Sequence, residues 1–229
     1  FSFMIGMIGS TDWELCENGI IPLRCFGLGL GPLRNHGIRM RLLCLAIHEP
    51  APGVLPEIAA EYGSRDAMRR FQAIVVTTLR QLRGLEETTI RIEPKPLDAD
   101  EALRFWLLPK LADHWRREGV RFIADGWSIE FGAADDSHAV IAEANVLCPM
   151  LSARWVHAAL AGLERGGKVC VGHDQRGQTY LTARANGNAP IKEVVNLPQL
   201  PSIGTADDWN RALEGPLGPA LFKEFERTA

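Results

Sequence analysis

The sequence predicts an α/β fold: a single domain built on a mostly parallel, doubly wound sheet with helices on both faces. Three observations carry that expectation. Leu42–Ile47 is a continuous apolar run without charge, the composition of a strand buried on both faces, and His48-Glu49-Pro50-Ala51-Pro52-Gly53 ends it abruptly. Ser64 to Leu85 then repeats its apolar residues at helical spacing. From there to Gly172, strand-like and helix-like segments alternate, as they do when crossover helices join parallel strands.

Taken in order, residues 1–39 show neither a sustained helical period nor strand alternation, and they lack the layout of a secretory signal. Gly27-Leu28-Gly29-Leu30-Gly31 has the glycines of a phosphate loop without its spacing. Met40 is the expected natural start, which makes 1–39 an N-terminal extension outside the native protein and 40–229 the α/β domain. In the first helix Ala67, Phe71, Ile74, Val75, Thr78, Leu79 and Leu82 share one stripe, and Ser64 is its N-cap. Thr88–Pro94 alternates as a second strand. Asp98–Glu118 reads as a second helix kinked at Pro109, and Val120–Ala124 as a third strand. Trp127–His138 reads as a polar surface loop; Asp135, Asp136 and His138 are metal-ligand types there, and a solvated loop uses the same letters. Ser152–Arg165 is a helix, Lys168–Gly172 a strand, Ala206–Leu213 a helix capped by Thr205, and Leu217–Arg227 a closing helix.

Composition narrows the function classes. With 229 residues, 46% of them hydrophobic and 23% charged, the chain is an ordinary globular one. A net charge of -3 offers no basic field for nucleic acid. No apolar run reaches the roughly 18–20 residues of a membrane helix. The five cysteines show no CxxC spacing, and an odd count without a disulfide framework fits reduced thiols in the cytoplasm.

Four short motifs lie in a particular order. They are Pro50-Ala51-Pro52-Gly53 after the apolar run, Cys148-Pro149-Met150-Leu151, Gly172 through Gly177 to Tyr180-Leu181, and Leu197-Pro198 through Leu200 and Ile203 to Thr205, Asp208 and Trp209. Over Met40 to Leu213 the chain resembles the glycosyltransferase-A-like nucleotide-diphospho-sugar transferases, in their bacterial selenodomain-associated and cofactor-guanylyltransferase-like branch. The resemblance makes Ala139–Ala144 a strand, although its letters alone lean helical. It implies a nucleotide or nucleotide sugar as ligand and displacement on a diphosphate assisted by a divalent metal. Carried over position by position, it makes His48, Pro52, Gly53, Asn145, His173 and Gly177 nucleotide-binding candidates and Asp174 and Arg176 catalytic candidates.

The departures from the family pattern are chemical. The basic Lys-Thr-Arg-Leu that follows the proline loop is replaced by Val54-Leu55-Pro56-Glu57. The metal-binding aspartates fall on Leu147 and Gly204, and the aspartate position just before Ile203 holds Ser202. An acid becomes Arg176 and a glycine becomes Gln178. Leucine offers no hard oxygen to Mg²⁺. The expectation is a divergent transferase with degenerate phosphate and metal motifs and weak or absent activity. No cofactor is expected, with Mg²⁺ or Mn²⁺ bound only if the divergent site still takes metal. The alternative is a non-catalytic member of the fold that binds a ligand or a protein.

Overall fold

The computed structural model describes residues 41–133, 140–163, 168–185 and 193–228. The expectations for 1–39, for Asp135, Asp136 and His138, for Ala139 of the 139–144 strand, and for the last two residues of the 152–165 helix fall outside them. In chain order the elements are β1 (Arg41–His48), α1 (Pro56–Tyr62), α2 (Ser64–Gln81), β2 (Thr88–Lys95), α3 (Asp100–Leu111), β3 (Arg116–Glu118), β4 (Arg121–Ala124), β5 (Trp127–Phe131), β6 (Val140–Ala144), α4 (Ala153–Leu163), β7 (Lys168–His173), β8 (Thr179–Ala185), β9 (Glu193–Asn196), α5 (Ala206–Glu214) and α6 (Gly218–Arg227).

All these strands join one sheet in the order β3-β4-β5-β2-β1-β6-β8-β7-β9. The centre is parallel: β1 pairs with β2 and β6, and β2 with β5. β8 runs antiparallel to both β6 and β7, so β7 has the same sense as β1. His48 and His173 therefore end on the same, carboxyl, edge, as the doubly wound expectation requires. From β1 the chain builds outward through β2 to β5 and then returns to β6 on the other side of β1. That reversal is the topological switch point, where open α/β sheets hold their ligands.

Alternation along β1 decides which side chains meet which core. Leu43, Leu45 and Ile47 are fully buried in the larger core, to which α1–α6 contribute Ile58, Phe71, Leu103, Leu160, Trp209 and Leu221. Leu42 and Cys44 point the other way and join Ile141 in a smaller cluster. On that second face a polar row crosses the sheet in register: Thr182, Glu143, Cys44, Arg91 and Glu130. Arg91 and Glu130 are buried there, and Arg91 Nε donates to Glu130 Oε1 at 2.6 Å.

Several elements differ from expectation. The second helix stops at Leu111, seven residues early, because Pro109 supplies no N–H to the last turn and Trp115 folds back to donate its indole N–H to the Leu108 carbonyl at 3.0 Å. Of the remaining residues, Arg116–Glu118 become β3, an edge strand whose Arg-Arg-Glu charges suit a solvent-facing edge. Trp127–Phe131, read as loop, is β5, with Trp127 and Ile129 buried beside β2. Asp125-Gly126 is a two-residue hairpin turn with Gly126 at φ 73°, so β4 is antiparallel to β5 and not a parallel strand. The sequence also concealed α1, which starts on Pro56 at its first turn. Among the described residues no helix is long and apolar enough to cross a membrane.

Candidate functional site

A pocket of about 650 Å³ opens at the carboxyl ends of β1 and β6, at the switch point. Alternation sends Cys44, Ala46 and His48 of β1 to one face. The register then sets Glu143 beside Cys44 and Glu93 beside Ala46, so a carboxylate flanks the strand on each side. Thr182 pairs with Glu143 on β8 and completes that wall with Thr179. Asn145 closes the end of β6: its N–H donates to the Tyr180 carbonyl at 2.9 Å and its Oδ1 accepts from the Leu147 N–H at 2.9 Å. This is an Asx turn, which releases the chain from the strand.

The wall is acidic. Glu143 lies 3.8 Å from Arg184, and both side chains are more than half exposed. Glu93 lies 3.7 Å from Lys95 Nζ. The Cys44 thiol is pushed up to about 12, first by burial and then by the Glu93 carboxylate; Arg91 pulls the other way, and Glu143 and Glu130 add to the rise. Cys44 is thus a protonated thiol at neutral pH and not a nucleophile.

The turn after β7 is built differently. Asp174 is 1% exposed and completely engaged. Its carboxylate accepts from the Ser202 hydroxyl and from the N–H groups of Arg176 at 2.9 Å and Gln178 at 2.8 Å. Its carbonyl accepts from Gln199 Nε2 at 2.9 Å. Burial alone would raise its pKa. The Ser202 hydroxyl, the two N–H groups and the Arg176 charge outweigh that and hold the carboxyl below its ordinary value.

Arg176 reaches across to pair with Asp208, which is also held by Arg211 Nη2 at 2.7 Å and closes the capping box of α5 with Thr205. Its guanidinium lies against Gly204, where an added Cβ would stand 2.9 Å from Nη1. Gly177, at φ 77°, completes the turn.

The site residues expected from sequence therefore fall into groups. His48 and Asn145 meet in the switch-point pocket. Pro52 and Gly53 are exposed in the loop beyond β1, and His173 and Gly177 are exposed at the end of β7. Asp174 and Arg176 belong to the hydrogen-bonded turn. Glu93, Glu143, Thr179 and Thr182 were missed; the available signal was a charge or hydroxyl at alternate positions within strands that otherwise bury apolar residues.

The metal implied by the family resemblance does not fit these donors. Leu147 presents hydrocarbon, and its carbonyl already accepts from the Ile203 N–H at 2.8 Å. Gly204 has no side chain, and a guanidinium occupies the space beside it. Among the described residues no group of three or more His, Cys, Asp or Glu side chains could hold a metal ion.

No family model matches the chain, and no curated protein matches it. Among solved structures, it is similar to a provisionally named nucleotide-diphospho-sugar transferase from Desulfovibrio desulfuricans: TM-score 0.59 and 17% identity, over 82% of this chain and 96% of that one. The fold is nucleotide-diphospho-sugar transferase-like. At that identity the likeness speaks for fold alone. Rv0371c from Mycobacterium tuberculosis matches at TM-score 0.43 and 12% identity, over 77% of this chain and 98% of its own. The 4-diphosphocytidyl-2C-methyl-D-erythritol synthase from Anaerococcus prevotii matches at TM-score 0.43 and 10% identity, over 75% and 94%. These two weaker matches carry no argument.

Proposed function

We propose that the chain is a divergent nucleotide-sugar or nucleotidyl transferase-like protein. In this reading it holds a nucleotide or nucleotide sugar in the switch-point pocket, and transfer is weak or absent. The position of the pocket carries the reading: it lies where the strand order reverses, at the ligand-binding edge of this class of sheet.

Glu93 and Glu143 weaken the case for efficient transfer. Displacement on a phosphate needs cations or oriented donors where negative charge develops. Carboxylates on the same wall oppose that charge, while they accept readily from sugar hydroxyls and base N–H groups. His48 and Asn145 contact the ligand in this reading, and Pro52, Gly53, His173 and Gly177 shape the loops along the edge. Asp174 and Arg176 act as positioning residues and not as reacting groups. The domain that does this is 40–229, acting in the cytoplasm without nucleic acid or membrane.

A thermal-shift screen of nucleoside diphosphate sugars, nucleoside triphosphates and free nucleosides, each with and without Mg²⁺ or Mn²⁺, tests the reading. The expected result is a saturable rise in melting temperature that needs no metal, and no transfer above background. Absence of any rise would refute ligand binding. A stoichiometric Mn²⁺ site of micromolar affinity, or metal-dependent turnover, would overturn the metal-free part.

A further inference from the structure

A second cavity, of about 380 Å³, lies between the 199–203 loop and the α5–α6 corner, and it shares no lining residue with the switch-point pocket. Its size falls within the range of small-molecule sites. Met150, Leu200, Ile203, Ala212, Leu217 and Leu221 form its apolar wall. The polar groups among them are already satisfied by the protein. Gln175 exchanges two hydrogen bonds with the Ser202 backbone, at 3.2 and 3.1 Å, and the Ser202 hydroxyl donates to Asp174. Asp208 is bound by two arginines and by the N–H groups of Gly204 and Thr205 at 3.1 and 3.0 Å. Such an interior asks nothing polar of its guest and rewards hydrocarbon.

One lining group differs. Arg211 uses Nη2 for Asp208 and Nε for the Asp207 carbonyl at 3.4 Å, while its side chain stays 68% exposed. Its Nη1 takes no partner among the described residues. A cation is thus available beside an apolar chamber. Arginine suits a carboxylate because its planar fork presents parallel N–H donors.

We infer that this cavity is a second binding site, for a compact apolar molecule carrying one carboxylate. The hydrocarbon part fills the chamber between Ile203 and Leu217, and the carboxylate meets Arg211 at the rim. The site is independent of the nucleotide reading, since neither its wall nor its charge belongs to the switch-point pocket.

The test is a methyl-detected NMR titration of the full chain with hexanoate, and with 1-hexanol and hexylamine as isosteres. Saturable shifts should appear at the methyls of Met150, Ile203 and Leu217, with hexanoate binding tighter than the alcohol by roughly threefold to tenfold, the range for a charge-assisted contact at an exposed rim. The amine should bind weakest. Arg211→Gln should bring hexanoate down to the level of hexanol, and Ala212→Phe should abolish binding of both by filling the chamber. Wild-type protein showing no saturable shifts at those methyls would sink the site. Equal binding of acid and amine, or an acid preference that survives in a folded Arg211→Gln protein, would sink the carboxylate assignment.

Discussion

The ends of β7 and β1 face the same edge of the sheet and use their polar residues in opposite ways. After β7, each charged group has a structural partner: Asp174 organises its own turn and the Ser202 loop, and Arg176 holds Asp208 at the start of α5. After β1 and β6, Glu93 and Glu143 line a pocket, 3.7 and 3.8 Å from a lysine and an arginine side chain, and Glu143 stays more than half exposed. The lesson is that a charged residue in a motif position becomes evidence for a site only after its hydrogen bonds have been traced. On that criterion the β7 turn is scaffold, and Glu143, more than half exposed in the switch-point pocket, is the group left to meet the proposed ligand.

The sharpest break of this comparison is Gly172→Ala. A Cβ there would stand 2.2 Å from Tyr180 Cζ, in the ring whose hydroxyl donates to the Pro198 carbonyl at 2.7 Å. Tyr180 is buried and has no room to yield, so the variant should lose about 3 kcal/mol or more by urea unfolding. A loss below about 1 kcal/mol would mean that the β7–β8 pair is looser than described.

Next is Asp174→Ala, which leaves two backbone N–H groups and the Ser202 hydroxyl unsatisfied; it should cost about 2–3 kcal/mol. The sign of its pH dependence follows from the lowered pKa. A carboxyl depressed in the folded state stabilises fully above its unfolded value near 3.8, and that contribution fades as pH falls through the lower folded value. Urea midpoints of wild type and Asp174→Asn should therefore converge as pH drops below about 4. Curves that stay parallel down to acid unfolding would contradict this.

Arg176→Ala should cost about 1 kcal/mol, because Asp208 keeps Arg211 and its cap. Nucleotide affinity should stay within about twofold of wild type; a loss of tenfold, about 1.4 kcal/mol, would return Arg176 to the binding site. The smallest effect on stability belongs to Glu143→Gln, within about 0.5 kcal/mol for an exposed side chain. This variant should instead change ligand affinity, measured by calorimetry with whichever nucleoside compound the thermal screen selects. An unchanged affinity would remove Glu143 from the pocket's function.

Much of the fold was legible. The uncharged Leu42–Ile47 run and its proline stop gave the central strand, and the stripe from Ala67 to Leu79 gave the long helix, because burial on one or two faces leaves a period in the letters. β5 was not legible because Trp127-Ser128-Ile129-Glu130-Phe131 hides a buried glutamate whose partner, Arg91, comes 39 residues earlier. The site was legible only as an edge. His48 and Asn145 could be placed by strand ends, whereas Glu93 and Glu143 become neighbours of one pocket only through the register of three strands. Pairing register is set by tertiary packing and does not appear in any local stretch of sequence.

The contact between Arg176 and Gly204 also constrains what an acid placed there could do. An aspartate introduced at 204 would emerge directly beneath a guanidinium and be neutralised by it before any divalent ion arrived. A divalent ion could then bind there only if position 176 lost its charge and position 147 supplied an oxygen donor as well.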